Sequence, residues 1–297
     1  MALALDDLRR PIDVKAAVVA LFLSVLWGAN PVAIKLGLAD VPPLRMAWMR
    51  FAVGSAVVLL WAWATDRLKG IRLARGDLPP LLVLGLIFTA QIVTMNVGTA
   101  LTSAAHAAIL VNLYVVHTVV LAHFMIPGDR LTPSRALGVL VAYGGIVVLF
   151  VGQASAGAPT RLGDFLMLAS SLFLGARTVY LAREARRLDH VTLLLSQALV
   201  GCVFFVAFSA LLENRPTRWT ASLAGSLLFQ GAVIAGFNFI VNLWLLRHYR
   251  PGALATFFLT QPIFGVLVAH AITGDPLTVE LLAASVAVAV GIGLTTR

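Results

Sequence analysis

Charged residues are scarce in this sequence: they make up 12% of its 297 residues, against about 25% in an average soluble domain. Hydrophobic residues make up 60%, and the mean hydropathy is +0.94. This composition excludes an ordinary soluble domain and indicates an all-α integral membrane protein. A transmembrane helix needs roughly 20 apolar residues, so with short loops the chain has room for about ten of them.

Cysteine is nearly absent as well. The single Cys202 lies in an apolar run, where it can form no internal disulfide and is expected to fill space. Catalytic patterns are also missing, because there is no His-Glu-x-x-His helix, and Ser103 and His106 lack an orienting acid or a Gly-x-Ser-x-Gly setting. No Walker-type phosphate-binding sequence is present. We therefore predict neither an enzyme nor an ATP-driven pump, with no metal site and no cofactor.

Apolar runs bounded by charge, proline or glycine predict ten membrane-spanning helices. They follow a cytoplasmic segment at 1–15, and the first is expected to be a retained span rather than a signal peptide. With the N-terminus inside, most Lys and Arg residues fall on the inner side, so both termini are expected in the cytoplasm. The net charge of +9 is scattered between the runs and does not indicate nucleic-acid binding. The predicted spans cover residues 16–38, 44–64, 79–101, 104–125, 131–151, 163–182, 190–212, 221–246, 251–271 and 277–296.

The two halves of the chain repeat each other. The segment GDRLT at 128–132 recurs as GDPLT at 274–278, and SVLWGA at 24–29 is similar to SLFLGA at 171–176. Each half holds five predicted spans, and an odd number makes the second half enter the membrane from the opposite side. Inverted repeats with a site near the midplane are typical of secondary transporters. The predicted repeats cover residues 16–151 and 163–296.

The segment WGANPVAIK at 27–35, Arg50 in the second span and the paired Gly-Asp-x-Leu-Thr turns resemble the EamA branch of the drug/metabolite transporter superfamily. The overall pattern resembles its YddG-type amino-acid exporters. The resemblance implies ten helices around a central cavity, lined mainly by spans 3, 4, 8 and 9 with help from spans 1 and 6. It also implies export, or facilitated diffusion, of amino acids and related small metabolites across the inner membrane by alternating access. Asp129 and Asp275 stand where many relatives carry glutamate.

Polar side chains inside apolar runs are costly and commonly mark a transport pathway. The alternative is that they hold helices together by hydrogen bonds. For the set in spans 3, 4, 8 and 9 we favour a cavity lining, because amides can bind the polar ends of an amino acid. The predicted substrate-binding residues are Gln91, Thr94, Asn96, Asn112, His117, Asn238, Asn242, Thr260 and Gln261.

Two prolines are predicted to bend spans beside the cavity. Pro31 removes a backbone donor from span 1, and Asn30 could bond a carbonyl that this bend frees. A gate and a static kink are both compatible with this pattern. Pro262 is expected to bend span 9 in a comparable way.

Three cations lie within predicted spans, where charge is costly. Arg50 and Lys35 could attract a substrate carboxylate, but Arg50 is expected to act as an anchor at the cavity edge. Arg177 matches Asn30 across the repeat, which places it near the cavity. Lys35 is expected to snorkel outward and pair with Asp40.

No Asp or Glu lies in the middle of a predicted span. Histidine is the remaining side chain that titrates near neutral pH, which leaves His106 and His117 as candidates for a proton relay. We predict facilitated or weakly coupled transport of a small zwitterionic solute by a monomer in the lipid bilayer. The alternatives are an exporter of amphipathic drugs or cations, a carrier of another metabolite, a channel or an intramembrane enzyme.

Overall fold

The structure is a computed structural model that describes residues 13–66, 68, 74–126, 130–152, 158–185, 187–249, 254 and 257–296. Its long elements are helices. A 3₁₀ turn at Arg75–Asp77 precedes α3, and a π-helix at Phe229–Asn238, here called the π segment, joins α9 to α10. The α-helices are α1 Val14–Leu38, α2 Pro43–Ala64, α3 Leu78–Leu101, α4 Ala104–Asn112, α5 Tyr114–Met125, α6 Pro133–Gly152, α7 Ala158–Glu184, α8 His190–Leu212, α9 Ala221–Leu228, α10 Phe239–His248, α11 Gln261–Thr273 and α12 Val279–Thr295.

Within the described residues, eight helical segments are long and apolar enough to cross a membrane, and two further apolar helices, α11 and α12, are shorter. Large apolar side chains are exposed on the outside of the bundle, including Trp63 at 71%, Phe124 at 78% and Leu140 at 70%. Such an apolar exterior is expected where the surroundings are lipid. The prediction of an all-α, multi-pass membrane protein is confirmed.

The helix bounds lie close to those of the predicted spans except in the ninth, where a turn at 259–260 precedes the start of α11 at Gln261. The ninth predicted run, 251–271, begins at residues outside those that the structure describes. Gly128 and Asp129 of the first repeated turn also lie outside the described residues. The fourth predicted run is interrupted at Leu113, which separates α4 from α5.

Close helix packing depends on glycine at a few crossings. A Cβ atom added to Gly28 of α1 would lie 2.6 Å from the Gln261 carbonyl oxygen of α11. In the same way, a Cβ on Gly175 of α7 would lie 2.8 Å from the His117 Cβ of α5. Small residues let helix backbones approach in membranes, where packing rather than water drives association.

Six helical elements form most of the wall of the interior, and the pair α6 and α12 packs together beside them. α3 packs on α7 and α8, while the π segment packs on α1 and α2. α1 also packs on α11, and α5 on α7. The interior space described below lies between these elements.

The two prolines predicted to bend spans sit differently in their helices. Pro31 is inside α1, as expected. Pro262 is instead at the start of α11, in its first turn. Because the first N–H groups of a helix have no intrahelical acceptor, proline there interrupts no hydrogen bond. The predicted mid-helix bend at Pro262 is therefore corrected to a helix start.

Candidate substrate cavity

The helices enclose a cavity of about 340 Å³, within the range of about 300–1,000 Å³ that small-molecule sites occupy. Its wall is built from α1, α2, α3, α7, α8 and the π segment, with single residues from α4, α5, α10 and the start of α11, and with Phe258 just before α11. Most of the lining is apolar. Charged and amide side chains interrupt it at a few points, and these carry the chemistry.

Arg50 of α2 is the first charged group of the lining, and it is only 6% exposed. Its Nη1 donates a hydrogen bond to Oε1 of Gln230 in the π segment, at 2.9 Å. The guanidinium carbon lies 4.4 Å from the ring centroid of Phe51, in the range of a cation–π contact. Arg50 is thus held by a neutral amide and an aromatic face.

Arg177 of α7 is the second charged group, and its surroundings are similar. Its Nη1 donates to Oε1 of Gln91 in α3 at 3.0 Å, and its guanidinium carbon lies 5.3 Å from the Phe88 ring centroid. Gln91 is held in turn by Ser170, whose hydroxyl donates to the backbone carbonyl oxygen of Gln91 at 2.9 Å.

Unpaired polar atoms concentrate in this lining. In the described part of the chain, seven buried side-chain nitrogen or oxygen atoms have no hydrogen-bond partner, and five belong to cavity-lining residues. A buried polar group without a partner costs free energy, so such groups call for an explanation. The five are Asn30 Oδ1, Arg50 Nε, Arg177 Nε, Gln197 Oε1 and Asn242 Oδ1.

Several residues predicted from the sequence meet at the cavity. They come from α1, α2, α3, α7, the π segment, α10 and α11, so distant parts of the chain converge on one space. Of the predicted lining and gating residues, the structure brings together Asn30, Pro31, Arg50, Gln91, Arg177, Asn238, Asn242 and Gln261.

The remaining predicted residues lie outside this lining. Those with polar side chains form hydrogen bonds within or between helices. The Asn96 Nδ2 donates to the Pro43 carbonyl oxygen of α2 at 2.8 Å, and the Asn112 Nδ2 donates to the Ala108 carbonyl oxygen at 2.7 Å. These contacts fit the alternative of interhelical or intrahelical bonding. The residues placed outside the lining are Thr94, Asn96, Asn112, His117, Thr260 and Pro262.

The two candidate relay histidines have separate environments. His106 Nδ1 lies 3.1 Å from Oδ2 of Asp164, whose side chain is fully buried. His117 Nε2 contacts the Tyr143 hydroxyl, and its Nδ1 lies 3.2 Å from the Ser171 hydroxyl. The break at Leu113 lies between the two histidines.

Lys35 does not pair with Asp40, which corrects the expectation above. Its Nζ donates to the carbonyl oxygens of Thr99 and Ala100, and to that of Thr102 just after α3. These carbonyls at a helix C-terminus have no intrahelical donors, and a cation there is favourable. Asp40 instead pairs with Arg218 at 3.0 Å.

Sequence reasoning missed two amides of the lining, Gln197 and Gln230, and the aromatic rings of Phe51 and Phe88 that face the arginines. The amides carried a usable signal, because each interrupts an apolar run. The rings carried none, since phenylalanine is ordinary in a membrane span. Among the described residues, no group of three or more His, Cys, Asp or Glu side chains is placed to hold a metal ion.

Comparison with known proteins agrees with this architecture. A Bacillus subtilis protein named uncharacterized transporter YoaV is 20% identical and aligns with 95% of this chain and 97% of its own length. An Escherichia coli protein named probable amino-acid metabolite efflux pump is 25% identical over 89% of each chain. A solved crystal structure has the same fold, with a TM-score of 0.67 at 20% identity, covering 95% of this chain and 96% of the other.

The profile of one family matches the chain twice, over residues 14–151 and 161–297, and so spans nearly its whole length. Both matches contain helices that line the cavity. The chain belongs to the EamA-like transporter family.

Proposed function

We propose that this protein is a secondary transporter that exports amino acids and related small metabolites, or facilitates their diffusion, by alternating access. The substrate site is the cavity of about 340 Å³. The membrane is a bacterial inner membrane, because a relative is named an inner membrane transporter. The protein acts as a monomer, since one chain supplies the whole cavity wall.

The observation that carries the proposal is the mixture of unpaired polar atoms in an otherwise apolar cavity. The guanidinium groups of Arg50 and Arg177 can donate to a carboxylate, and the side-chain amides of Asn30 and Asn242 can accept from an ammonium group. An amino acid presents both groups within a few atoms of each other. A few placed polar groups in an apolar pocket are what orient a small ligand.

Helix contacts support the inverted repeat and the ten-span topology. If residues 16–151 and 163–296 are repeats, α3 corresponds to the span that contains the π segment, and α1 and α2 correspond to α7 and α8. The packing of α3 on α7 and α8 then has its counterpart in the packing of the π segment on α1 and α2. Gly28 and Gly175, which align between the repeats, make corresponding close crossings.

An outer closure also fits alternating access, with both termini in the cytoplasm. Glu213, after α8, accepts from the backbone N–H groups of Leu44 and Arg45 at the start of α2. Asp40 pairs with Arg218 across the same end of the bundle. The lining extends instead toward the opposite helix ends, as at Val58 and Leu194. We interpret this arrangement as an inward-facing conformation with a closed outer end.

Counterflow in proteoliposomes tests the proposal. Vesicles preloaded with an unlabelled amino acid are expected to accumulate the labelled one, with a saturable rate. Because Gln91 positions Arg177, Gln91→Ala should reduce the rate at least tenfold, and Asn238→Ala should also reduce it. Thr94→Ala is the matched control, since the Thr94 hydroxyl bonds only to carbonyls of its own helix. Flux without trans-stimulation would indicate a channel, and uptake strictly dependent on a pH gradient would contradict facilitated transport.

A further inference from the structure

The charge of the cavity is unbalanced. Two guanidinium groups, those of Arg50 and Arg177, belong to its lining, and none of the described lining residues is acidic. Neither arginine has a carboxylate partner among the ion pairs of the described residues. Two like charges therefore share one largely apolar space.

Some arginines outside the cavity have carboxylate partners. Arg187 lies 2.8 Å from a carboxylate oxygen of Glu184 and 3.2 Å from one of Asp77, and Arg218 pairs with Asp40. These pairs are at the ends of the bundle, where water already screens the charge. The cavity arginines are deeper and would gain more from a partner, because charge interactions strengthen where water is excluded.

The contacts of the cavity arginines are reciprocal between the halves of the chain. Arg50, in the first half, is held by Gln230 of the second, and Arg177, in the second half, is held by Gln91 of the first. Each guanidinium also lies over a phenylalanine ring. These neutral partners fix the position of each guanidinium and leave its charge uncompensated.

Each arginine also retains hydrogen-bonding capacity. The Nε of Arg50 is buried without a partner in a side chain that is only 6% exposed, and the Nε of Arg177 is likewise unpaired. A guanidinium offers its donors in a planar fork that matches a carboxylate. Two such forks in one cavity suit a bound molecule that has a carboxylate for each of them.

We propose that the cavity binds a small dicarboxylate, with one carboxylate at Arg50 and the other at Arg177, and that an acidic amino acid is its preferred form. The ammonium group of that amino acid would donate hydrogen bonds to the unpaired amide oxygens of Asn30 and Asn242. This inference rests on the proposed function only in taking the cavity as the transport site. The proposed substrate is then a molecule with a net negative charge rather than a neutral zwitterion.

Binding to the purified full-length protein in detergent tests this directly, with ligand-induced thermal stabilisation as the readout. L-Glutamate and succinate are expected to raise the melting temperature at concentrations at least tenfold lower than L-glutamine, which has the size of glutamate but one carboxylate fewer. Glutamate should act at lower concentration than succinate because it also has the ammonium group. Equal effects of glutamine and glutamate would overturn the proposal.

Substitution of Arg177 separates binding from structure. Arg177→Gln should weaken the glutamate response at least tenfold, whereas Arg177→Lys, which retains the charge, should keep part of it. Arg75→Gln is the matched control, because Arg75 is exposed outside the cavity. Without ligand, Arg177→Gln should melt at or above the wild-type temperature, since it removes an uncompensated charge. Melting clearly below wild type with an unchanged glutamate response would identify a structural arginine and overturn the inference.

The outcomes also distinguish this inference from the proposed function. Counterflow of neutral amino acids that glutamate does not inhibit would overturn the dicarboxylate site and leave the transporter intact. Glutamate binding that depends on Arg177, without flux of any amino acid, would support the site and contradict the transport proposal. If Arg177→Gln does not fold, the comparison of glutamate with glutamine on the unmodified protein decides the question.

Discussion

The carboxylate of Asp164, near the start of α7, has no exposed surface and lies 3.1 Å from Nδ1 of His106 in α4. The hydroxyl of Thr102, between α3 and α4, donates to Oδ1 of the same carboxylate. One buried acid thus joins α7 to the connection between α3 and α4. Both hydrogen bonds at Asp164 are strengthened by its charge.

We therefore expect Asp164→Asn to destabilise the protein by roughly 1–3 kcal/mol, the range for losing charge-assisted hydrogen bonds in a buried site. The asparagine can still accept from Thr102 but carries no charge for His106. The measurement is the free energy or midpoint of unfolding in detergent. Glu280→Gln, at an exposed acid of α12, is the control and should change little. Equal midpoints for the two variants would show that the Asp164 contacts add no stability.

The position of Asp164 also shows where sequence reasoning ends. The helices could be predicted because an apolar run and its boundaries are local features of the chain. The sequence places Asp164 near a span end, and the structure agrees. The pairing of Asp164 with His106, however, depends on how α4 crosses α7. That crossing is set by contacts between residues 58 positions apart, as in the His106–Asp164 contact, and no local pattern contains it.

The residues of the candidate cavity also fall into those that the sequence could identify and those that it could not. Gln91 and Asn238 could be singled out because an amide in a membrane span is costly wherever it points. Asn96 satisfied the same criterion, yet it donates to the Pro43 carbonyl oxygen at the start of α2. Which amides face the cavity and which hold helices together depends on the neighbouring helix. Gln230, overlooked in the sequence, lines the cavity because its helix presents it to Arg50.

The crossing of α1 and α11 at Gly28 leads to a second prediction. A Cβ there would lie 2.6 Å from the Gln261 carbonyl oxygen and 2.9 Å from the Gly265 nitrogen, both backbone atoms that cannot move alone. Gly28→Ala should therefore destabilise the protein by about 1–3 kcal/mol, as overpacking commonly does. It should also slow transport, because the helices beside the cavity are forced apart.

Gly225 provides a matched control for that substitution. It lies inside α9, and a Cβ added to it would meet no atom within 4 Å. Since alanine favours a helix over glycine by about 1 kcal/mol, Gly225→Ala should be neutral or stabilising. Thermal unfolding of the two variants in the same detergent compares them. A Gly28→Ala protein as stable as Gly225→Ala would contradict the close crossing.

Asp13 gives the protein a pH-dependent stability below neutral pH. Its Oδ1 accepts from the Ala16 N–H at 2.8 Å, and its Oδ2 accepts from the Tyr249 hydroxyl at 2.9 Å. These two hydrogen bonds, that from Ala16 first, lower the pKa of Asp13 below its ordinary value. Because the folded-state pKa is lowered, the stabilising contribution is present above the unfolded pKa and is lost as the pH falls through the folded pKa.

Asp13→Ser isolates that contribution, because serine can still cap α1 but does not titrate in this range. The wild type should exceed the variant in melting temperature by a constant margin from neutral pH down to about pH 5, with the margin shrinking below about pH 4, where free aspartate titrates. Melting curves between pH 3 and 7 measure the difference. A margin that does not depend on pH would mean that the Asp13 charge contributes nothing to stability.

The last prediction concerns the orientation of the two halves in the membrane. Arg130 and Pro276 lie in the two repeated Gly-Asp turns, and both are exposed. If each half has five spans, as we propose, the same turn falls on opposite sides of the bilayer. After Cys202 is replaced by alanine, single cysteines at these positions can be labelled with a membrane-impermeant maleimide.

We expect Pro276→Cys to react in intact cells, like a reference cysteine at the exposed Asn214 between α8 and α9. Arg130→Cys should react only in inside-out vesicles, because the positive-inside rule predicts that the cationic loops, to which Arg130 belongs, are in the cytoplasm. Labelling of both turns from one face would leave the halves parallel. The pairs Arg50–Gln230 and Arg177–Gln91 would then not be equivalent, and the proposed exchange between inward and outward states would lose its structural basis.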